Sequence, residues 1–433
     1  MKNKELTKYA THALLLAKEL FPINRSISNI GVKKSLQILG RDHKDFKIKS
    51  FKSKSKVYDW NIPKRWNVKK AKILNMKGEV LVDFKNNNLH VISHSQPIKK
   101  KVTRKELMAH IHTRPDLPDA IPYVTSYYKK EWGFCISENQ KKSLKDDHFF
   151  VEIDSSLDSA SMNYAEIYIP GKSKREIFFS TYVCHPSMVN NELSGPVVAE
   201  SLIQYLSKRN NNFSYRFIFI PETIGSIAYI KKNLEKMKKN ILGGFVLSCL
   251  GDERSFSIIS SRTLNNPLEK ILAETITLNV KKYSAKLKKY SFLERGSDER
   301  QFCSPGVNLP ISGFCRSKYG TYPEYHTSLD DFNLVTKHGL KGSIDVLIQT
   351  LENIENLDFP IAIHNCEPNL GKRGLYPLLG ARKKTSFVKN IKNILAYSDG
   401  TNSSKDIAKI IGIKETKVKP LIELLRNKNL ILK

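Results

Sequence analysis

The sequence has little of what marks a secreted, membrane-spanning or zinc-finger protein. Its six cysteines show no paired or regular spacing, which indicates reduced thiols and not a disulfide framework or a finger-type zinc site. No apolar run approaches the roughly 20 residues that a transmembrane helix requires. The amino terminus is polar and lacks the apolar stretch of a signal peptide. We therefore expect a cytoplasmic protein without a membrane span.

Acidic residues are also few: 42 Asp and Glu stand against 72 Lys and Arg, which gives a net charge of +30. Such an excess attracts nucleic acids and other polyanions through counterion release. The basic residues are spread over every segment, so the charge predicts weak attraction to anions or acidic membranes and no specific partner. Nucleic acid stays open as a partner but is not favoured.

The length of 433 residues predicts more than one domain, because single cores rarely exceed roughly 250 to 300 residues. Residues 1–56 and 139–365 are expected to form the main domain. From about 148 to 355 strands alternate with helices, a pattern typical of a mostly parallel α/β sheet between helices. Residues 57–138 hold all three tryptophans in short alternating runs, which predicts a small inserted β-rich module. Residues 380–433 predict three helices and an apolar tail, arranged as a winged helix-turn-helix.

Histidines and acids follow successive strand-like runs of the main domain. His185 and Glu192 come after the run 177–180, Glu222 follows 215–220, and Asp252 follows 243–249. His326 lies far along the chain in a polar loop. Because ligands collect at the carboxyl ends of parallel strands, we expect a zinc site built from several loops, with His185, Glu192, His326 and Asp252 as ligands. Glu222 is the candidate general base.

Each of these residues also has a structural interpretation. A lone strand-end histidine is most often hydrogen-bonded to the backbone, and an acid that opens a helix gains about 0.3 to 1 kcal/mol from the helix dipole. Cys184, next to His185, is expected to pack in the core, because adjacent strand residues point to opposite faces. The joint placement of the histidines and acids favours the site.

The charged run Asp298, Glu299 and Arg300 has two interpretations of equal weight. It is either a solvated loop or part of the substrate pocket, together with Arg316. Arginines suit a carboxylate or a phosphate group of a ligand. Asp298, Arg300 and Arg316 are therefore candidate substrate-binding residues.

Several long motifs make the chain resemble a bacterial aminopeptidase-like family that is often associated with polysaccharide biosynthesis, and the tail resembles the winged helix that accompanies it. These motifs span 184–187, 191–195, 221–226, 295–300, 318–331 and 371–377. That family is similar in turn to the zinc aminopeptidases and glutaminyl cyclases. The resemblance implies a mixed sheet between helices.

By this resemblance, His185 and His326 take the two imidazole positions and Glu222 that of the general base. Asn191 stands where the family has a metal-bridging aspartate, and Thr223 where it has a second glutamate. Ser248 likewise falls near an expected aspartate. These losses of charge imply one zinc ion in place of two, with Glu192 as the substitute ligand and Asn191 left for substrate binding.

The sequence thus predicts a zinc-dependent hydrolase of an amide or peptide bond, acting on a small-molecule or peptide-like substrate in surface polysaccharide metabolism. The alternative is a non-catalytic ligand-binding or regulatory protein whose winged helix contacts DNA or a protein partner. Assembly into a homo-oligomer is compatible with either hypothesis.

Overall fold

The computed structural model describes residues 3–264, 266–376 and 386–432. These residues form two compact units. The first takes in the described residues up to 264 together with 272–349, and the second those of 266–271 and from 350 onward. Of the predicted carboxyl-terminal domain 380–433, residues 380–385 and 433 lie outside the described residues.

Helices make up much of the described chain, and in the longer ones apolar side chains recur three and four residues apart and give one buried face. They are α1 (Asn3–Leu20), α2 (Ile30–Gly40), α3 (Arg104–Ala109), α4 (Glu138–Ser143), α5 (Ser194–Leu206), α6 (Ile224–Asn240), α7 (Pro267–Asn279), α8 (Glu299–Phe302), α9 (Lys337–Glu355), α10 (Ser386–Tyr397), α11 (Ser404–Ile411) and α12 (Glu415–Asn427). Within the described ranges, none of these helices combines the length and the hydropathy needed to cross a bilayer.

Strands occupy most of the remaining regular structure. They are β1 (Lys47–Lys52), β2 (Lys56–Val57), β3 (Trp60–Asn61), β4 (Arg65–Asn75), β5 (Val80–Asp83), β6 (Ile98–Thr103), β7 (Ile111–His112), β8 (Phe134–Cys135), β9 (His148–Asp158), β10 (Ser161–Ile169), β11 (Glu176–Tyr182), β12 (Ser214–Ile220), β13 (Ile241–Leu247), β14 (Ser255–Ile259), β15 (Lys286–Tyr290) and β16 (Ile311–Cys315).

The main sheet has eight strands in the order β1-β10-β12-β11-β13-β16-β14-β15. Its centre, β12, β11, β13 and β16, is parallel, while β1 and β10 on one side and β14 against β16 on the other are antiparallel. Every residue of β11, β12 and β13 is buried, as expected for parallel strands covered on both faces. The carboxyl ends of the four central strands therefore open at one edge.

A second, antiparallel sheet has the order β5-β4-β9-β6 and packs around Trp66, Phe134 and Phe149. It extends beyond the predicted module 57–138, because β9 pairs with β4 along nearly its whole length. The burial of β9 alternates along the strand, which is typical of a sheet with one wet face. Only two residues separate β9 from β10, so the chain passes directly from the small sheet into the main one.

The second unit contains the three carboxyl-terminal helices, packed around Ile391, Ile407 and Ile422. Ser403 caps α11, and its capping box is completed by Asp406. Short β-bridges join Ile361 to Asp399 and Ala362 to Ile431. The bridging strands begin well before residue 380, so this unit uses more of the chain than the predicted range.

Candidate functional site

Three predicted residues meet at the open edge of the main sheet. His185 follows β11, Glu222 follows β12, and His326 lies in the loop between β16 and α9. The ring centroids of His185 and His326 are 5.4 Å apart. His185 Nε2 lies 3.8 Å from Glu222 Oε2. The strand ends thus bring two imidazoles and one carboxylate together, as parallel-sheet geometry predicts.

Glu192 holds His185 from behind. It lies in a π-helical turn, Val189–Leu193, and its Oε2 is 2.8 Å from His185 Nδ1. Its Oε1 accepts a hydrogen bond from the Cys184 amide and lies 3.8 Å from Arg25 Nε. Both carboxylate oxygens therefore contact protein groups, and Glu192 orients the ring of His185. Its role as a metal ligand stays a prediction, since its carboxylate lies within 4.8 Å of the ligand atoms of Cys184 and His185. The sequence does not specify which imidazole nitrogen a carboxylate will meet.

Arg25 completes this support and was not anticipated from the sequence. Its side chain is fully buried, and its Nε donates to the carbonyl of His185 at 3.0 Å while Nη1 donates to that of Leu20 at 2.7 Å. Burial lowers the pKa of Arg25, and the charge of Glu192 opposes that shift. A buried cation therefore neutralises the carboxylate that orients His185.

His326 presents an imidazole nitrogen with no partner. Its ring stacks on Tyr325 at 3.9 Å and meets Tyr123 edge-on at 5.2 Å. Within the described part of the chain, its buried Nε2 has no hydrogen-bond partner. Burial, and then the nearby His185, lower its pKa to about 3. The ring is therefore neutral with a free lone pair, which is the form that binds a metal ion.

These observations fit one zinc ion. In a metal-binding histidine the second ring nitrogen usually contacts a carboxylate, which fixes the ring and its tautomer, and Glu192 occupies that position behind His185. His326 supplies the unpartnered nitrogen. The imidazoles available to a zinc ion are therefore those of His185 and His326, beside Glu222. Among the residues that the structure describes, the group of three ligand side chains whose atoms lie within 4.8 Å of one another is Cys184, His185 and Glu192, which does not include His326.

Glu222 is held in a defined orientation. Ser297 Oγ donates to its Oε1 at 2.7 Å, and its backbone amide donates to Cys184 Sγ at 3.3 Å. Burial raises its pKa, and the neighbouring His185 opposes that shift. The Glu222 carbonyl accepts from the Ile224 amide at 2.8 Å across Thr223, whose φ of 63° and ψ of −80° describe a rare, strained γ-turn.

The charged run 298–300 supports this turn. Asp298 Oδ1 accepts from the Thr223 amide at 2.7 Å, and Arg300 Nη2 donates to Thr223 Oγ1 at 2.7 Å. Asp298 and Glu299 are fully buried, so the run is not the solvated loop that was one interpretation of it. Burial, and then the charge of Glu222, raise the pKa of Asp298 to about 7.

Asn191 is anchored at the same edge. Its Nδ2 donates to Tyr182 Oη at 2.7 Å, and its Oδ1 is buried without a partner in the described ranges. Asp330, which sequence reasoning did not single out as a site residue, accepts from the amides of Asn190 at 2.5 Å and Asn191 at 2.9 Å. Burial raises the pKa of Asp330 to about 7. Its place in the long motif 318–331 was the available signal.

Two other predicted residues lie elsewhere. Asp252 accepts from the Ser317 amide at 2.9 Å, from Asn190 Nδ2 at 3.0 Å and from the Arg254 amide at 2.9 Å. Its carboxylate thus satisfies loop donors that would otherwise be buried unpaired. Among the described residues, the group of three metal-ligand side chains close enough to share an ion is Cys184, His185 and Glu192, without Asp252.

The side chain of Arg316 lies in the core and does not face the candidate site. Its side chain is fully buried and its guanidinium lies 4.0 Å from the ring centroid of Phe256. Burial lowers its pKa to about 10. Since β16 ends at Cys315, Arg316 is the first residue beyond a core strand, and its side chain stays in the core.

Cys184 differs from the expectation of simple core packing. Its Sγ lies 3.4 Å from His185 Nδ1, because β11 ends at Tyr182 and the alternation of strand side chains no longer applies. Burial raises the pKa of this thiol to about 11, so it stays protonated and is a poor nucleophile.

The predicted inserted module also supplies part of the site. Tyr123 packs its ring 5.1 Å from His185, and its amide donates to the His326 carbonyl at 2.8 Å. Nearby, the Ile121 amide donates to Ser328 Oγ at 2.9 Å, and the Ser328 amide donates to the Ile121 carbonyl at 2.8 Å. No pattern in the local sequence of Tyr123 pointed to this contact.

Comparisons with known proteins agree with this architecture. Residues 14–357 match the family model described as a domain of unknown function, DUF4910, and residues 360–433 match one described as a winged helix-turn-helix. A Clostridium acetobutylicum protein named as a polysaccharide biosynthesis protein with an aminopeptidase-like domain is 42% identical over 406 residues, which are 93% of this chain and 92% of that protein.

Solved structures show the same similarity. The crystal structure of a C. acetobutylicum protein described as a peptidase is 39% identical, with a TM-score of 0.80 over 99% of this chain and 97% of its own. A zinc aminopeptidase from Bacillus subtilis is 16% identical, with a TM-score of 0.56 over 80% of this chain and 94% of its own, which shows the fold alone. The predicted aminopeptidase-like α/β fold with a carboxyl-terminal winged helix is confirmed.

Proposed function

This chain belongs to the DUF4910 family of aminopeptidase-like proteins, and from that premise we propose that it hydrolyses an amide bond with the help of one zinc ion. The observation that carries the proposal is the convergence of His185, His326 and Glu222 at one edge of the sheet. Each residue comes from a different loop. The Nε2 atoms of His185 and His326 and the Oε2 atom of Glu222 are the atoms that face the site.

His185 and His326 are the residues that would hold the ion. Bound zinc supplies Lewis acidity that polarises a carbonyl and acidifies a water molecule. Glu192 and Arg25 keep the ring of His185 in one orientation through Nδ1 and the backbone. That arrangement leaves Nε2 facing the site.

Glu222 has the position and the environment of a general base. Its Oε1 is fixed by Ser297 and its Oε2 faces His185, so Oε2 is the atom that takes the proton of the attacking water and returns it to the leaving nitrogen. Burial raises its pKa, which strengthens the carboxylate as a base. The turn at Thr223 fixes the direction of the side chain.

Neutral residues at two positions shape the substrate proposal. Asn191 and Thr223 replace carboxylates of the aminopeptidase pattern, and Thr223 Oγ1 is instead bonded to Arg300. A site with fewer negative charges is less suited to receive a free amine. We therefore place the substrate among acylated amino sugars or peptide-like conjugates, in line with the polysaccharide-biosynthesis name of the relative.

A second candidate is a non-catalytic binding protein. It is favoured by the engagement of Glu192 and Asp252 in internal hydrogen bonds, because zinc enzymes usually add a carboxylate ligand to their imidazoles. Burial by itself lowers the pKa of His185, but the thiol of Cys184 and the carboxylate of Glu192 outweigh burial and raise this pKa well above its usual value, which favours the protonated ring that cannot bind a metal ion.

In the winged helix, Arg426 is paired with Asp358 and Glu423 at 2.5 Å each. Since arginine is the commonest reader of bases, this pairing favours a protein partner over DNA.

Zinc loading combined with an amidase assay decides between the candidates. The full chain, dialysed against zinc, is analysed for bound metal and assayed on N-acetylated amino sugars and acylated amino acids. We expect about one zinc per chain and hydrolysis that falls about 10²- to 10⁴-fold in Glu222→Gln, with zinc content unchanged. Glu235→Gln, on the exposed face of α6, is the matched control.

Two outcomes contradict the first candidate. Hydrolysis that survives Glu222→Gln removes Glu222 from the mechanism. Binding of an acylated sugar without any turnover, at full zinc occupancy, supports the non-catalytic candidate.

A further inference from the structure

A cleft near the candidate site is not used by the mechanism above. Its volume of about 840 Å³ lies in the range of small-molecule pockets, about 300 to 1,000 Å³. Tyr127 lines it, and the Tyr127 hydroxyl lies 2.9 Å from that of Tyr123. Tyr123 in turn packs 5.1 Å from His185. One pair of tyrosines therefore connects the cleft to the catalytic residues.

The cleft carries positive charge without compensation. Lys54, Lys64, Lys129 and Lys130 line it, and no acidic side chain is among its described lining residues. The ion pairs of the described chain include none of these four lysines, whereas many lysines nearby are paired, as Lys70 is with Glu152 at 2.6 Å. Unpaired like charges gathered in one concavity attract an anion.

Exposed aromatic rings lie at the same cleft as these lysines. Tyr128 lines the cleft with 60% of its surface exposed, and Trp60, 40% exposed, lies 6.2 Å from it between ring centroids. Asn61 and Gln96 add amide groups to the lining. Flat apolar faces beside amides offer a surface to a sugar ring, which has apolar faces and a hydroxyl rim.

His94 forms the inner wall. It is 3% exposed, stacks on Trp66 at 5.7 Å and meets Tyr127 edge-on at 4.8 Å. Its Nδ1 lies 3.2 Å from Ser26 Oγ, next to the Arg25 that supports His185. Its Nε2 is buried and makes no well-formed hydrogen bond among the described residues, although the Lys64 carbonyl is close. His94 therefore closes the inner end of the cleft with a buried ring.

We propose that this cleft binds an acidic sugar unit of the substrate, one that carries a carboxylate or a phosphate, while the amide to be cleaved lies at His185 and His326. The placement of the amide at His185 and His326 rests on the proposed function. Binding energy from such a remote group can be used to position the reacting bond. A volume of about 840 Å³ suits one or two sugar units.

Single-stranded nucleic acid also combines phosphates with rings that stack on aromatic side chains. It typically occupies about 4 to 16 nucleotides of a basic groove, more than this cleft holds. Oligonucleotide binding is therefore an outcome of the test that would contradict the proposal.

Calorimetric titration of the full-length Glu222→Gln protein tests the inference without turnover. The probes are a glucuronate-containing disaccharide, glucose 1-phosphate, a neutral glucose disaccharide and a thymidine hexanucleotide. We expect one or both acidic sugars to bind about tenfold or more tightly than the neutral one, the difference that about 1.4 kcal/mol provides. The stronger of the two identifies the carboxylate or the phosphate as the anion.

Paired variants connect this binding to the cleft. Lys129→Met with Lys130→Met should weaken the acidic sugars about tenfold and leave the neutral sugar unaffected, and Tyr128→Ala should weaken both. Lys33→Met with Lys34→Met, another adjacent pair of exposed lysines on α2, is the control and should change neither. Equal affinity for acidic and neutral sugars, no binding of either acidic sugar, or tighter binding of the hexanucleotide would overturn the proposal.

The two proposals fail separately. Acidic sugars that bind through Lys129 and Lys130 in a protein without amidase activity leave the cleft assignment standing and remove the hydrolase. Hydrolysis of N-acetylated amino sugars, with no effect of the lysine variants on any acidic substrate, removes the cleft assignment alone.

Discussion

Asp298 accepts a hydrogen bond of 2.7 Å from the backbone amide of Thr223, the residue whose strained γ-turn directs Glu222 into the site. A β-branched residue at positive φ is a steric outlier, and such strain costs about 1 to 3 kcal/mol. Surrounding bonds must therefore hold the turn. Asp298 and Arg300 supply them from one short segment.

Glycine at position 223 tests this interpretation. Thr223→Gly removes the steric strain, about 1 to 3 kcal/mol, and one hydrogen bond from Arg300, about 0.5 to 1.5 kcal/mol. We expect the free energy of unfolding in urea to stay level or rise by about 1 kcal/mol. The proposed hydrolysis should fall, because the turn loses its bond to Arg300 and orients Glu222 less firmly. Thr223→Ser, which keeps the hydroxyl, is the control. A loss of about 2 kcal/mol or more in the glycine variant would show that the turn is not strained.

Glu192 gives a second prediction, on metal affinity. Glu192→Gln keeps the size of the side chain but removes the charge that orients His185 through Nδ1. Loss of such a supporting carboxylate typically costs 10- to 100-fold in metal affinity, that is about 1.4 to 2.7 kcal/mol. We expect zinc affinity, measured by competition with a chelator, to fall by about that factor, whereas Glu235→Gln leaves it unchanged.

The same variant should also lower stability. Arg25 is fully buried beside Glu192, and a buried charge that loses its partner costs about 3 to 5 kcal/mol. Unaltered zinc affinity together with lower stability would assign Glu192 a structural role alone.

The regular spacing of apolar residues in the sequence was enough to predict the α/β fold of the main domain. The helices α6 (Ile224–Asn240) and α9 (Lys337–Glu355) lie in the segment where the sequence predicts strands alternating with helices, because amphipathic periodicity is a local property. The strand β9 was missed. Its polar positions alternate with buried ones, and its partner β4 lies far away in the sequence, so no local signal identified the boundary of the small sheet.

The positions of the candidate residues could be predicted where these residues follow the carboxyl ends of parallel strands. His185 and Glu222 were identified because they stand at strand ends, and the two histidines lie close together. The role of Glu192 depends on Arg25, which is 160 residues from His185 in sequence, and on the choice between two ring nitrogens. Long-range side-chain contacts of this kind leave no trace in spacing.

Arg316 gives a third prediction. Its guanidinium is buried over Phe256, and its Nε, Nη1 and Nη2 have no hydrogen-bond partner in the described ranges. Replacing buried charge with an apolar side chain of similar volume is often stabilising by about 1 to 4 kcal/mol. We expect Arg316→Met to raise the free energy of unfolding and to leave KM for the amide substrate unchanged.

Arg254→Met is the matched control for that experiment. Arg254 forms an exposed pair with Glu324 at 2.8 Å, so its loss should change stability by no more than about 1 kcal/mol. A raised KM in Arg316→Met, at unchanged stability, would instead support the substrate-binding role predicted from the sequence.

A cluster around Glu200 gives the fourth prediction, on pH. Glu200 is buried, 2.9 Å from His43 Nε2, 3.2 Å from His12 Nε2 and 2.7 Å from Gln204 Nε2. Burial by itself raises its pKa, but the hydrogen bonds of His12, His43 and Gln204 outweigh burial and lower the pKa from 4.5 to about 2. The carboxylate therefore stabilises the folded state on the order of 3 kcal/mol at neutral pH.

The sign follows from the lowered pKa. Because the folded pKa lies below the unfolded one, the stabilisation is complete above pH 4.5 and is lost as the pH falls towards about 2. Glu200→Gln should therefore unfold more easily than the natural protein at pH 7, and the difference between the two should shrink as the pH drops through this window. His12, whose pKa is raised by its hydrogen bond to Glu200, loses its own contribution as the pH rises past its folded pKa.

Urea titrations of the natural protein, Glu200→Gln and the control Glu235→Gln, at steps between pH 7 and pH 3, provide the measurement. A constant difference between the natural protein and Glu200→Gln across the acidic range would mean that Glu200 titrates normally and that His12 and His43 do not hold its charge.

The cluster around Glu200 connects α1, the segment after α2, and α5 through side-chain contacts. Its loss at low pH should therefore loosen the amino-terminal helices before the parallel strands, which slower hydrogen exchange in β11 and β12 than in α1 would verify.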